Sequence, residues 1–178
     1  MTDFSHTNPL VAPEAVADWL EAIPKPLAIT GGTGFVGSHL VETLCAAGVE
    51  PRVLVRDPDA PRWIEGAPVA WCEGSLGDPD ALRKLVEGAG TVLHLAGVVR
   101  AGRAADFDRG NRLGTANLVA ATAEAAPSAR LIHVSSLAAA GPSPEPKGVG
   151  PEIEPAPISW YGQSKLAAEL EARALGGD

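Results

Sequence analysis

The chain has 178 residues, enough for one domain with a sizeable core, and its 46% hydrophobic content excludes a disordered chain. A formal net charge of −8 argues against nucleic acid or an anionic membrane as the main partner, because both select a basic footprint. Aromatic residues make up only 4%, while Gly and Pro together number 36, so a core of Ala, Val and Leu with glycine-rich turns fits α/β architecture better than a β-sandwich.

Residues 1–26 read as an N-terminal extension punctuated by Pro9, Pro13, Pro24 and Pro26, with a short helix over Pro13–Ile23. Met1–Ala22 has neither a basic start nor a continuous apolar stretch, so no secretory leader is expected there. No apolar run reaches the length of a membrane span. From Leu27 an alternation begins that defines the second unit, 27–178. Leu27–Thr30 is the first strand, and Phe35–Ala47 is a helix with Val36, Leu40 and Leu44 on one face, stopped by Gly48. Arg52–Val55 is the second strand, Asp59–Glu65 a short helix and Val69–Cys72 the third strand. Asp78 and Pro79 open a helix to Glu87. Thr91–Leu95 is the fourth strand, Asp106–Ala125 a long helix and Arg130–Val134 the fifth strand. The fourth and fifth strands look buried on both faces. Residues 141–157, with six prolines, read as a loop that is either a lid or a solvated connection. Trp160–Leu175 is the last helix. Strands separated by helices imply crossovers and a parallel sheet. The expected fold is a Rossmann-type doubly wound sheet of about five strands, order 3-2-1-4-5.

The turn after the first strand reads Thr30-Gly31-Gly32-Thr33-Gly34-Phe35-Val36-Gly37. Two glycine spacings overlap in it: Gly32, Gly34, Gly37 and Gly31, Gly34, Gly37. Either way, a tight turn lets backbone approach a pyrophosphate, and the helix that follows offers free N–H groups and the positive end of its dipole. Strand before and amphipathic helix after make this a nucleotide-binding context. At the end of the second strand stands Arg56, followed by Asp57. A guanidinium there pairs with the 2′-phosphate of NADP, so NADP is the preferred cofactor, with Arg62 a second candidate. If Asp57 does the reading, NAD is bound instead.

Tyr161-Gly162-Gln163-Ser164-Lys165 spaces a phenol and an ammonium by four residues, on one helix face. A neighbouring ammonium favours the phenolate and brings proton transfer toward neutral pH. Ser135-Ser136, at the carboxyl end of the fifth strand, puts a hydroxyl toward the ligand crevice. Cys45 and Cys72 read as buried free thiols of a cytoplasmic protein. The four His show no metal spacing, and His39, His94 and His133 read as packing residues.

Together with His-Leu-Ala-Gly (94–97), Asn-x-x-Gly-Thr-x-Asn-Leu (111–118) and Val-Ser-Ser-Leu-Ala-Ala-Ala-Gly (134–141), these motifs resemble the extended short-chain dehydrogenase/reductase family, its NAD-dependent epimerase/dehydratase group with dihydroflavonol-reductase-like members. The resemblance runs over about 27–175. It implies Ser136, five residues before Gly141, as the group polarising a substrate oxygen, Tyr161 as general acid/base, and Lys165 as the group that lowers the Tyr pKa and holds the nicotinamide ribose. It implies cofactor contacts from Gly31, Thr33, Gly34, Phe35, Val36, Gly37, Arg56, Leu95, Ala96, Gly97 and Asn111, and from Ser75 and Leu76 where the family often has Asp-Leu. A capping or packing role is the alternative for Asn111. Relatives of this family continue past the Tyr-x-x-x-Lys helix into a substrate lobe, whereas this sequence stops at Asp178, so a truncated form is expected. The expected function is NADP(H)-dependent oxidoreductase, epimerase or dehydratase chemistry on a small molecule, or cofactor binding without turnover. Pairing of two copies through helices 106–125 and 160–175 is a further implication.

Overall fold

The computed structural model describes residues 13–143, 148, 150 and 154–176. Residues 1–12 of the expected extension, and much of the expected loop 141–157, lie outside them. Among the described residues, β1 (Leu27–Thr30), β2 (Arg52–Val55), β3 (Ala70–Glu73), β4 (Thr91–His94) and β5 (Arg130–His133) form one parallel sheet in the order β3-β2-β1-β4-β5. The strand order is the expected one. Ala28 faces Arg52 on one side and Val92 on the other, which makes β1 the central strand.

Alternation along the strands divides the core. Leu27, Ile29, Val53 and Leu93 join one apolar cluster with Val41 and Leu44 of α2 (Phe35–Ala46). Ala28, Leu54 and Val92 join a second, with Leu82 and Leu85 of α3 (Pro79–Val86) and with Leu118 further along the chain. Successive side chains point to opposite faces, so both faces carry helices and the layers are α/β/α. The segment before β1 belongs to this core: α1 (Pro13–Ala22) buries Leu20, and Ile23 follows it into the first cluster.

Helix ends follow local chemistry. Asp78 Oδ1 accepts from the N–H groups of Asp80 and Ala81, each at 3.1 Å, and Pro79 occupies the first helical position of α3. At the end of α2, Gly48 takes φ +77°, its N–H donates to Cys45 O at 3.0 Å, and Val49 N–H donates to Leu44 O at 2.9 Å. This pairing satisfies carbonyls that the helix leaves open.

Several expectations are corrected. The short helix at 59–65 is only a 3₁₀ turn, Arg62–Ile64. The third strand is shifted to Ala70–Glu73. Val36 is 62% exposed on the first turn of α2, and Val41 takes the inner position. β5 is an edge strand with an exposed Arg130 and half-buried residues after it, unlike the fully buried β4. The long helix starts earlier and is not uniform: α4 (Ala104–Phe107) passes into a π-helical segment, Asp108–Leu113, and then α5 (Gly114–Ala125). Inserted π turns shift the side chains of the following helix and often mark functional sites. A one-turn helix, α6 (Leu137–Ala140), follows β5, and α7 (Trp160–Arg173) closes the described chain. No helix among the described residues is long and apolar enough to cross a membrane.

One hydrogen-bond chain crosses the sheet-helix boundary. His94, 1% exposed, has Nδ1 2.6 Å from Thr30 Oγ1 and Nε2 2.9 Å from Thr115 Oγ1. Thr115 Oγ1 spends its hydrogen on Asn111 O at 2.8 Å, so it accepts from His94 Nε2–H. Thr30 then donates to Nδ1 and accepts the Ala96 N–H at 3.3 Å. The chain needs a neutral imidazole. Burial first, then the charges of His133 and Lys165, push the His94 pKa down to about 3.

As pH falls, the unfolded chain therefore protonates this ring before the folded chain does. The contribution is whole above pH 6.5 and is lost as pH drops toward 3, at about 1.4 kcal/mol per pH unit where the slope is steepest. His133, pushed down to about 4, adds a slope of the same sign. Urea unfolding at pH 7.5, 6 and 5 should show falling stability, and His94→Gln should be less stable at pH 7.5 with a shallower slope. Equal stability of the parent chain at pH 7.5 and 5 would contradict the neutral, buried assignment.

Candidate functional site

The sheet reverses its winding between β1 and β4, and the crevice at the carboxyl ends of those strands is where a doubly wound sheet binds ligands. The glycine turn forms its floor. Gly31 has φ +76°, and a Cβ there would lie 2.5 Å from Ala96 N, so the turn rests directly on backbone leaving β4. A Cβ on Gly37 would lie 2.1 Å from Gly31 O. Gly34 N–H donates to Gly31 O at 3.0 Å, and Gly34 begins α2 without any side-chain cap or first-turn acid. Gly32 differs, because a Cβ there would meet Val53 Cγ1 at 2.6 Å in the core. Of the two overlapping spacings, Gly31, Gly34, Gly37 is therefore the one that shapes the turn. Thr33 lies within the turn, and Phe35, 76% exposed, and Val36 flank the helix start.

Leu95 and Ala96 N–H groups donate to Thr30 O at 3.1 Å and Thr30 Oγ1 at 3.3 Å, holding the segment 95–97 beside the turn. Gly97 faces Asn111 Oδ1, which a Cβ would meet at 3.1 Å. Asn111 is 2% exposed and its amide is engaged: Oδ1 accepts from Val98 N–H at 2.7 Å, and Nδ2 donates to Val98 O at 3.0 Å and Ser164 Oγ at 2.8 Å. Its side chain joins the post-β4 loop to α7.

At the end of β2, Arg56 is exposed and lines a groove of about 710 Å³ that also includes Ser75 and Trp71. Asp57 Oδ1 accepts from Asp59 N–H at 3.1 Å, a local turn contact. Arg62, at φ +60°, does not line this groove. Ser75 Oγ accepts from Gly77 N–H at 3.2 Å. Leu76 packs on α5, where a Cβ on Gly114 would come within 2.8 Å of Leu76 Cδ1, and its carbonyl accepts from Asn117 Nδ2 at 2.8 Å.

The other wall is an interlock of α6 and α7. A Cβ on Gly162 would lie 2.2 Å from Ala138 O, and one on Gly141, at φ +89°, would lie 2.2 Å from Ala156 O. Ser159 Oγ caps α7 by accepting from Gly162 N–H at 3.0 Å. These contacts bring Tyr161, on the first turn of α7, to the helix that Ser136 begins. Ser136 Oγ accepts from Ala138 N–H at 3.2 Å. Ser135 diverges and donates to the Glu169 carboxylate on α7. The Tyr161 ring lies 6.1 Å from the Phe107 ring.

Lys165 is 5% exposed and is turned to the end of β5, donating to Val134 O at 2.9 Å and approaching His133 Nε2 at 3.4 Å. Burial pushes its pKa down, and Glu169 one turn along α7 pulls it back up. Accepting from an ammonium leaves the hydrogen of His133 on Nδ1, a buried atom without a partner. Burial first, and then Lys165, lowers the His133 pKa to about 4, against an opposing pull from Glu169. His133 is thus a Lys165 contact, while His39 stands on the α2 surface within 3.6 Å of Glu42. Ser164, Thr115, Glu169 and the histidine pair escaped sequence reasoning, because their partners are 21 to 64 residues away in the chain. Cys45 and Cys72 are free and half-buried, with the Cys45 thiol pushed up to about 11 by burial and Glu50. No cluster of three metal-ligating side chains occurs among the described residues.

The geometry has counterparts. A curated ceramide reductase of Caulobacter vibrioides is 43% identical over 149 residues, covering 83% of this chain and 42% of that protein. A putative dihydroflavonol 4-reductase of Synechocystis is 35% identical over 167 residues, covering 88% of this chain and 46% of the relative. The chain thus spans less than half the length of these relatives. Among solved structures, MoeE5 in complex with UDP-glucose and NAD superposes with a TM-score of 0.73 at 29% identity, over 86% of this chain and 50% of that one. A uronate dehydrogenase of Agrobacterium tumefaciens complexed with NAD gives 0.71 at 26%, over 83% and 54%. The model of the NAD dependent epimerase/dehydratase family matches residues 27–178. With that match over the whole sheet and the crevice at its switch point, the chain belongs to the NAD dependent epimerase/dehydratase family.

Proposed function

We propose that this chain is the cofactor-binding and proton-transferring part of an NADP(H)-dependent oxidoreductase that reduces a carbonyl group or oxidises the matching alcohol. The observation that carries this reading is the α6–α7 interlock, which joins Ser136 and Tyr161 at the carboxyl ends of the strands, on the same rim as the glycine turn. The residues present fit a dinucleotide. Gly31, Gly34 and Gly37 let the turn pack on its own backbone and on Ala96, and the uncapped start of α2 offers N–H groups to a pyrophosphate. Arg56, beside the Ser75 groove, supplies a planar fork of donors for a 2′-phosphate.

When bound, the nicotinamide supplies or accepts the hydride. Ser136 Oγ donates a hydrogen bond to the substrate oxygen, and Tyr161 Oη gives that oxygen its proton or takes it away. Lys165 stands a turn further along α7. Its placement at the end of β5 leaves one of its three N–H donors for a ribose hydroxyl. His94, through Thr30, and Asn111 position the segment 95–98. Homodimer formation belongs to the same reading, and the exposed Leu113 and Leu170 on the helical faces support it.

Titration with NADPH and with NADH, followed by binding heat, tests the cofactor assignment. Arg56→Ala should weaken NADPH by about 10-fold to 100-fold and leave NADH unchanged, the scale of a lost hydrogen bond to a charged group. Tyr161→Phe should retain NADPH binding and lose about 10² to 10⁴ in ketone-dependent NADPH oxidation. Equal weakening of both cofactors would contradict the Arg56 role, and unimpaired turnover in Tyr161→Phe would contradict the proton-transfer role.

A further inference from the structure

The two most exposed large apolar side chains of the described structure are Leu137, at 88%, and Ile158, at 82%. Both sit at the proposed reaction centre. Leu137 directly follows Ser136 and opens α6. Ile158 lies three residues before Tyr161, and Trp160, 55% exposed, directly precedes it. The contact of Gly162 with Ala138 O brings these two stretches of chain together, so the three residues neighbour the Ser136–Tyr161 pair along both of them.

Each such side chain forgoes burial worth about 1.5–3 kcal/mol while it stays in water. Exposed apolar clusters of this kind mark binding surfaces. The charges around them narrow the ligand. Residues 134–143 contain no ionisable side chain, and Glu154 is the one charged residue in 154–164. A sugar diphosphate bound here would meet no Lys or Arg from either stretch. Trp160 instead offers a flat apolar face for a hydrocarbon.

We propose that Leu137, Ile158 and Trp160 form an apolar substrate wall beside Ser136 and Tyr161, and that the substrate carbonyl carries a long hydrocarbon substituent rather than a sugar nucleotide. This proposal rests on the oxidoreductase reading above and adds the substrate class. The occupant is a hydrocarbon chain. A second copy of this chain, or another protein segment, is the competing occupant.

Trp160 emission tests the wall without requiring turnover. The 178-residue chain is titrated with 2-decanone, 2-butanone and UDP-glucose, and Trp160→Phe separates Trp160 from the other three tryptophans. Saturable change with 2-decanone should occur and vanish in Trp160→Phe. Half-saturation should come at least about tenfold lower than with 2-butanone, since each buried CH₂ adds to affinity. Leu137→Ser and Ile158→Ser, both at exposed positions and checked for folding by circular dichroism, should reduce that chain-length preference. The proposal is overturned if UDP-glucose moves Trp160 as strongly as 2-decanone, if the two ketones bind alike, or if none of the probes changes its emission. A concentration-dependent emission change without ligand, abolished in Leu137→Ser, would assign the wall to self-association and overturn it as well. A chain-length preference that survives while no ketone is reduced would count against the hydride-transfer reading and leave the wall in place.

Discussion

The neutral imidazole of His94 is the hinge on which the site depends. Its two nitrogens connect Thr30, at the end of the central strand, to Thr115 on the helix across the sheet. From there the bonds run through Asn111 to the loop at Val98 and to Ser164 on α7. Thus the glycine turn, the segment 95–98 and the Tyr161 helix share one network. Every member is buried or half-buried, so losing one strands its neighbours without partners, and that costs more than the bond itself contributes. The π segment belongs to the same logic. It carries Asn111, and at Gly110 it approaches Val98 so closely that a Cβ would meet Val98 Cγ2 at 2.3 Å.

Close approach of chain segments shapes the rim of the site. The core is built from Ala, Val and Leu, and the functional elements meet through glycines: Gly31 on Ala96, Gly37 on Gly31, Gly114 on Leu76, and Gly162 on Ala138. Backbone in direct contact leaves little freedom for the rim to drift. A site that must hold donors within a fraction of an ångström gains from being set on such contacts rather than on long side chains. Leu137, Ile158 and Trp160 stay exposed next to the α6–α7 contact.

Much of this was legible in the sequence. The parallel sheet followed from the alternation of apolar strands and helices and its strand order from the Rossmann-type fold, and the Asp78-Pro79 start and Gly48 stop are local signals with local causes. The glycine turn was legible for the same reason, though not which of its two spacings shapes the backbone: Gly32 is decided by Val53, 21 residues away. Periodicity misplaced Val36, because the first turn of a helix that begins at a crevice need not face the core. It also overstated the burial of β5, since an apolar run does not reveal that its strand lies at an edge. Side-chain partnerships across the fold were beyond reach. Nothing near His133 signals Lys165, nothing near Ser135 signals Glu169, and Asn111 has the same local sequence whether it faces a ligand or the Val98 backbone.

The central claim is that a nicotinamide dinucleotide lies across the β1/β4 reversal with its pyrophosphate on the start of α2. Amide ¹H–¹⁵N shifts of the labelled chain, recorded as NADPH is added, address it directly. The account predicts the largest changes at Gly34–Gly37 and at Ala96–Gly97, with smaller ones at Arg56 and Ser75. Changes confined to the β5 edge, or a spectrum untouched by either NADPH or NADH, would contradict it.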